Sequence, residues 1–456
     1  MRLVSPWHPR LSEGPAPPSE RLAAALAEDI LDGKLASGDR LPAHRDLADK
    51  LGIGVGTVTK AYGILERRGL VFSVKGRGTF VALVQRRRGP QIELARNVPP
   101  AVITERLLGQ TLAAVARRVD AGLFNDYPPL GGHDEHRRLM ARWFAGMGME
   151  ADPGRLVLTS GAHHAVSLAL LLTCGARGTL FTEAQTYPGV IALARHQGIR
   201  LVGVAMDEQG MVPEALERAL SARAEGPAAL YVTPTMQNPT TATMSRTRRE
   251  ETVALCRAHD IAIIEDDVYS LSADAQLVPL AMLAPERTFY ANSLSKTLNP
   301  ALRMGGLVTP PGRVEAAITA LQATAIMVSP LSCALMEQWL LDGTAQDVIQ
   351  AIQVESQRRT VLAESILGDM MRARQYHGYH VWLPMPRRDA EQLARAAGEL
   401  GIMLTPPSAT AADPGSDASG IRLCLGSPDM SELNTALNTI ARVRQEVRTT
   451  SAQLAL

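Results

Sequence analysis

Apolar residues in the first ninety positions recur at helical spacing. Leu22, Leu26 and Ile30 share one face of a segment that Ser19 is placed to cap and Gly33 to stop, which predicts a helix over 19–32. A second helix is expected from about Ala43 to Lys50. A third ends near Arg68, with Val58, Ala61, Tyr62 and Leu65 at i, i+3, i+4 and i+7, and Gly52, Gly54 and Gly56 flank the tight turn before it. Two β-prone runs come next, Leu70–Val74 and Thr79–Val84, joined by Lys75-Gly76-Arg77-Gly78, which is a hairpin signal. Helix, helix, turn, helix, hairpin is the layout of a winged helix-turn-helix, expected over 18–84.

Beyond about residue 100 the pattern changes. Short apolar runs alternate with helical stretches: Arg155–Thr159, Gly178–Thr182, Arg200–Ala205, Ala228–Thr233, Ile261–Glu265 and Arg287–Ala291. Such alternation predicts a mostly parallel sheet covered by helices. After about 345 the order becomes a long helix, a strand near Tyr379–Leu383, a helix, a strand at Ile421–Leu425 and a last helix, which suggests a smaller α+β lobe over about 345–448. The expectation is therefore a multidomain α/β chain. It has a disordered, Pro- and Ser-rich tail at 1–17, an exposed linker at 85–98 beginning with Arg86-Arg87-Arg88, a large domain over 99–448, and a tail at 449–456.

Bulk composition narrows the setting. A chain of 456 residues is too long for one compact core. The longest apolar runs, such as Leu168–Thr173, are far shorter than a membrane span, and no secretory signal opens the sequence. Cys174, Cys256, Cys333 and Cys424 lie far apart and form no C-x-x-C pair, so a reducing cytoplasm is expected. Net charge is only +1, but residues 1–90 carry a balance of +6 and the remainder −5. A basic module on a mildly acidic body points to a polyanionic partner for the module alone.

In a helix-turn-helix the second helix of the motif enters the major groove, and short side chains at its start let the backbone approach. Val55, Thr57, Thr59 and Lys60 occupy that start, with Gly54 and Gly56 beside the valine, and the wing presents Lys75 and Arg77 to phosphates or the minor groove. The motifs G-x-x-L-P-x-x-R-x-L-A, T-V-x-x-A-Y-x-x-L and G-x-G-T-F all stand within residues 18–82, and the segment closely resembles the GntR-type winged helix. The resemblance makes Arg45 a phosphate- or base-contacting arginine and implies double-stranded operator DNA as the partner. Many members carry arginine where this chain has Val55, so an altered operator preference is expected.

The large domain carries an ordered set of small motifs. A Ser160-Gly161-Ala162 turn leads from a strand into a helix, which makes an anion site of free N–H groups. Asn238 precedes Pro239. Asp266-Asp267-Val268-Tyr269 comes after an apolar strand, where α/β sheets bind ligands. Metal ligation by Glu265, Asp266 and Asp267 is disfavoured because consecutive strand residues point to opposite faces. His133 and His136 lack a third ligand, and no metal site is expected. Ser293-Leu294-Ser295-Lys296 leads into Arg303. Each piece alone reads as ordinary turn or surface chemistry. As an ordered set they resemble the fold-type I, pyridoxal 5′-phosphate (PLP)-dependent enzymes of the class I/II aminotransferase family, over roughly 93–448.

That resemblance implies a role for each residue. Lys296 carries PLP as a Schiff base, and Asp266 keeps the pyridine nitrogen protonated. Asn238 and Tyr269 bond the ring's phenolic oxygen, Tyr187 stacks on the ring, and Gly161, Ala162, Ser293 and Arg303 hold the phosphate. Arg422 clamps an amino acid's carboxylate. Tyr127 reaches the phosphate of the neighbouring subunit, which implies a head-to-tail homodimer. One departure is Asn238-Pro239-Thr240-Thr241, where aminotransferases commonly have glycine last; this bears on turnover rather than on cofactor binding. A GntR-type winged helix ahead of such a domain looks like the MocR subfamily of bacterial regulators. The expected function is a transcriptional regulator that senses an amino acid or related amine through PLP. An active aminotransferase with a DNA-binding arm is the alternative, and a sensor of PLP itself is a third reading.

Overall fold

In the computed structural model of the chain the described residues are 7, 9–11, 16–31, 34–35, 38–67, 70–74, 77–81, 91–118, 122–270, 274, 277–372, 378–413, 415 and 419–453. Lys75 and Gly76 of the wing tip, the helix stops Gly33 and Gly69, and Arg86–Arg88 lie outside them. The chain divides into two compact units, Met1–Gln91 and Ile92–Leu456.

The first unit contains α1 (Pro18–Leu31), α2 (His44–Leu51) and α3 (Val55–Arg67), then β1 (Val71–Val74) and β2 (Gly78–Val81) paired antiparallel. The apolar faces read from the sequence meet here: Leu22, Leu26, Leu47, Val58 and Leu65 are fully buried together. Each such side chain contributes roughly 1.5–3 kcal/mol. Gly52 ends α2 in the left-handed region at φ 63°, which fixes the tight turn before α3. Ser19 lies inside α1 rather than ahead of it.

One expectation about this unit changes. Trp7, in the stretch read as a disordered tail, is buried in the same core and donates its indole N–H to Asp29 at 2.9 Å. Arg10 and Lys34 also hold Asp29, at 2.8 and 2.9 Å. These donors, Arg10 foremost, keep its carboxyl below the usual carboxylate range. Proline content hid this anchor, because a single tryptophan makes no periodic pattern.

In the second unit a seven-stranded sheet forms from β3 (Leu156–Thr159), β4 (Thr179–Glu183), β5 (Arg200–Val204), β6 (Ala228–Val232), β7 (Ala262–Asp266), β8 (Thr288–Ser293) and β9 (Gly305–Val308). Their spatial order is β3-β9-β8-β7-β6-β4-β5. The β4–β5, β4–β6, β6–β7 and β7–β8 pairs are parallel, while β9 runs antiparallel to both β8 and β3. Near-continuous burial along β3, β7 and β8 is what helices on both faces require. Strand β9 gives no strand signal in the sequence because it opens with two glycines. A Cβ on Gly305 would lie 2.7 Å from the Asn292 carbonyl oxygen and 2.9 Å from the Gly161 backbone, so close approach outweighs strand propensity there.

The smaller lobe pairs β10 (His380–Pro384) with β11 (Gly420–Cys424), antiparallel, with Trp382 opposite Arg422. Long helices Thr344–Leu367 and Met430–Gln453 pack around it. The segment read as linker up to residue 98 enters this lobe. Ile92–Glu93 pairs with Ile402–Met403, Leu94 is fully buried, and Asn97 is buried within hydrogen-bond reach of Tyr269. The alternation Ile92-Glu93-Leu94 is a strand pattern too short to separate from a linker.

Candidate functional site

The C-terminal ends of the central strands open on a cleft of about 590 Å³. Lys296, Asp266, Tyr269, Asn238, Tyr187, Ser293, Arg303 and Ala162 line it, so most of the cofactor residues expected from sequence converge. The fold explains the convergence. Asp266 ends β7, Ser293 ends β8, and Gly161 and Ala162 start the helix after β3, all at one edge of the sheet.

Asp266 is nearly fully buried, and Tyr231 on β6 donates its hydroxyl to one carboxylate oxygen at 2.7 Å. The other oxygen is buried without a partner among the described residues. Burial pushes the carboxyl up to about 6, against the Tyr231 hydrogen bond and Lys296, which pull it down. An acceptor so placed wants a cationic N–H. Lys296 donates its ammonium to the Asn97 carbonyl. Its amine is brought down to about 8, first by burial, with Arg422 and Arg303 acting in the same direction.

Neighbouring acids have other employment. Glu265 accepts the backbone N–H groups of Leu280 and Ala281 at 2.9 and 2.8 Å. Asp267 accepts from Ser270 and Tyr290 at 2.7 and 3.1 Å. Three consecutive carboxyls therefore diverge, and among the described residues no group of His, Cys, Asp and Glu is arranged to hold a metal.

Tyr269 is the hub of a buried polar network. Its hydroxyl accepts from Asn238 at 3.0 Å and from Asn97 at 2.9 Å. Arg422 on β11 donates to the Asn238 side-chain oxygen at 2.6 Å, the Ala95 carbonyl at 2.7 Å and Thr405 at 2.9 Å. Its Nε is buried and unpartnered, and no carboxylate lies within ion-pair reach of it among the described residues. A guanidinium only 6% exposed, with neutral partners alone, is a site short of an anion.

At the other end, Arg303 donates to the Ser160 carbonyl at 2.8 Å. Gly161 adopts φ 92°, and a Cβ there would sit 3.0 Å from the Arg303 guanidinium. Glycine thus lets the helix N-terminus, Arg303 and Ser293 approach one point, an anion cradle. Tyr187 caps the start of the helix Pro188–His196, and its hydroxyl lies 3.4 Å from His163.

Several participants leave no signal in the sequence. Tyr231 sits inside an apolar strand, Asn97 in an expected linker, and Ser295, whose buried hydroxyl has no partner among the described residues, two residues from Ser293. Tyr127 does not join the cleft and is 71% exposed. Thr241 has φ 62°, so a β-branched residue holds a left-handed position, and its buried hydroxyl has no partner among the described residues.

In the first unit Val55, Thr59, Lys60, Arg45 and Arg77 are exposed and Thr57 half-buried. Thr59 turns its hydroxyl to the Val55 carbonyl at 3.0 Å and to His44 at 3.1 Å.

Comparison with known proteins matches residues 89–440 to the family described as aminotransferase class I and II, and residues 18–81 to bacterial regulatory proteins of the gntR family. The HTH-type transcriptional regulator YdeF of Bacillus subtilis is 27% identical over 408 residues, 87% of this chain and 88% of its own length. The HTH-type pyridoxine biosynthesis transcriptional regulator PdxR of Corynebacterium glutamicum is 27% identical over 370 residues, 77% of this chain and 79% of its own. The α-aminoadipate aminotransferase LysN of Thermus thermophilus, solved with N-(5′-phosphopyridoxyl)-L-leucine, shares the fold. Its TM-score is 0.70 at 24% identity, covering 79% of this chain and 93% of LysN.

Proposed function

The chain belongs to the aminotransferase class I and II family and carries a gntR-family regulatory domain ahead of it, the MocR-type architecture; on that basis we propose a DNA-binding transcriptional regulator that holds PLP and senses an amino acid. The observation that carries the reading is the pairing of two unmet demands in one unit: a buried Asp266 oxygen awaiting a cation and a buried Arg422 awaiting an anion. The ring nitrogen of PLP would meet the first and the carboxylate of an amino acid the second.

When bound, PLP supplies an aldehyde carbon that captures a primary amine and a ring that withdraws electrons. Lys296, with its amine near 8, keeps roughly a tenth in the neutral, nucleophilic form at pH 7. Asp266, ionised at that pH, holds the proton on the ring nitrogen, and Tyr231 fixes its rotamer. Asn238 and Tyr269 address the ring oxygen, Tyr187 covers a ring face, and Gly161, Ala162, Ser293 and Arg303 take the phosphate. Arg422 orients the effector carboxylate. Arg45, Val55, Thr57, Lys60 and Arg77, with Lys75 at the wing tip, face operator DNA, supported by the basic balance of the first ninety residues. The exposed Tyr127 fits a role at the cleft of a second subunit in a head-to-tail homodimer. No helix among the described residues is long and apolar enough to cross a membrane, and a cytoplasmic setting fits a DNA partner.

Lys296→Ala is the direct test. The wild-type protein is expected to carry a visible-range absorbance that amino acids shift, and DNA affinity should respond to the same amino acids. The variant should lose both responses. Persistence of the band and of its response excludes this lysine, and rapid transamination together with effector-blind DNA binding favours the enzyme reading.

A further inference from the structure

Helix α3 (Val55–Arg67) begins with an unusual surface. Its first residue, Val55, is 43% exposed, whereas Val58 and Leu65 of the same helix are buried. Gly54 and Gly56 flank it; a Cβ on Gly56 would meet nothing within 4 Å and one on Gly54 would only touch the Thr57 hydroxyl at 3.8 Å. Thr59, one turn later on the same face, spends its hydroxyl hydrogen on the Val55 carbonyl at 3.0 Å and lies 3.1 Å from His44. The leading surface of the helix therefore offers a branched apolar side chain at Val55, beside a threonine whose hydroxyl hydrogen is already engaged.

Resting on the DNA-binding reading above, we infer that Val55 is a specificity-determining residue that reads the 5-methyl group of a thymine in the major groove. The N-terminal residues of a recognition helix are the ones that meet base edges. Among the groups displayed there, the thymine methyl is the one apolar substituent, and guanine presents two acceptors at that depth. A valine against guanine would bury the O6 and N7 acceptors without a donor; against thymine it excludes water from two apolar surfaces at once. The missing side chains at Gly54 and Gly56 allow the short valine to reach the base edge.

The experiment uses the full-length protein. Binding sequences are first selected from a random duplex pool. Each thymine of the selected site is then replaced singly by deoxyuridine, which deletes the methyl and preserves pairing. At one thymine position the wild-type protein should lose about fourfold in affinity, the worth of one buried methyl (about 0.8 kcal/mol). Val55→Ala, at an exposed position, should fold normally, still bind, and lose most of the response to the methyl at that position. A site in which no thymine responds overturns the inference, as does a Val55→Ala protein that retains the response. If the protein enriches no sequence at all, the DNA-binding reading fails and this inference with it, whereas an enriched but methyl-blind site removes this inference alone.

Discussion

Arg422→Met isolates the claim that the effector is recognised as a carboxylate. Methionine keeps much of the buried volume and removes the charge. In the free protein Arg422 is 6% exposed, its Nη atoms donate to Asn238, Ala95 and Thr405, and its Nε has no partner among the described residues. Solvent screening at such a site is weak, so an incoming carboxylate forms a desolvated, charge-assisted pair. Losing one partner of such a pair costs about 2–5 kcal/mol, and a central value of ~3 kcal/mol is roughly 150-fold in affinity. The assay titrates PLP-loaded wild-type and variant protein with α-amino acids and with the matching amines that lack the carboxyl, monitoring the cofactor absorbance. Amino acids should weaken by about two orders of magnitude, and amines should change by no more than about twofold. Equal weakening of both, in a variant that still holds the cofactor, would deny Arg422 a carboxylate partner, because the loss would then come from the Asn238 contact and not from a missing counter-charge.

The same geometry dictates further outcomes. Asp266 ionises near pH 6, so the affinity for a cofactor with a protonated ring is present above that pH. It should fall about tenfold per unit below it, and Asp266→Asn should abolish this dependence; titration of the apo-protein with PLP across pH 5–8 checks it. Tyr231→Phe removes the donor at 2.7 Å, a charge-assisted hydrogen bond of about 1.5–3 kcal/mol, and should move the break upward by a unit or more; an unmoved break denies Tyr231 its positioning role. Thr241→Gly relieves a left-handed residue (~1–2 kcal/mol) and an unpartnered hydroxyl, against ~0.5–1 kcal/mol of added freedom in the unfolded chain. The thermal midpoint should rise by about 1–2 °C, and a fall would show that the threonine is not strained.

Fold and site are legible in the sequence where chemistry forces a local pattern. The winged unit announces itself because helical periodicity, glycine stops and a turn-rich hairpin each leave a mark within a few residues. The cleft is legible through ordered short motifs, since Asp266, Ser293 and Gly161 must sit at strand ends to converge. The hidden parts depend on contacts distant along the chain. Tyr231 looks like any β-prone residue until β6 lies beside β7, and Asn97 acquires meaning only when the chain folds back to place its carbonyl at Lys296, 199 residues away. Trp7 escapes because a lone anchor has no period. Strand β9 escapes because a packing constraint, and not a backbone preference, selects its glycines.

Sensing requires that occupation of the effector site be felt at the cofactor, and the buried network supplies a route of direct contacts. Arg422 bonds Asn238, Asn238 and Asn97 both bond Tyr269, and the Asn97 carbonyl accepts from Lys296. In the proposed role, a carboxylate on Arg422 draws on the guanidinium that also holds the Asn238 oxygen, and Asn238 would pass the change to the Tyr269 hydroxyl. Arg422, Asn238, Asn97 and Tyr269 are buried and Lys296 is half-buried, so the network has few alternative arrangements. Linkage then makes the coupling reciprocal. Whatever factor the effector gains from a loaded cofactor, the cofactor gains from the effector, and the same reciprocity must hold between effector and operator DNA if one conformational equilibrium serves both. In the proposed role no chemical turnover is needed: the contact at Arg422 would distinguish an amino acid from an amine, and a difference in that contact between two states would shift the DNA-binding equilibrium.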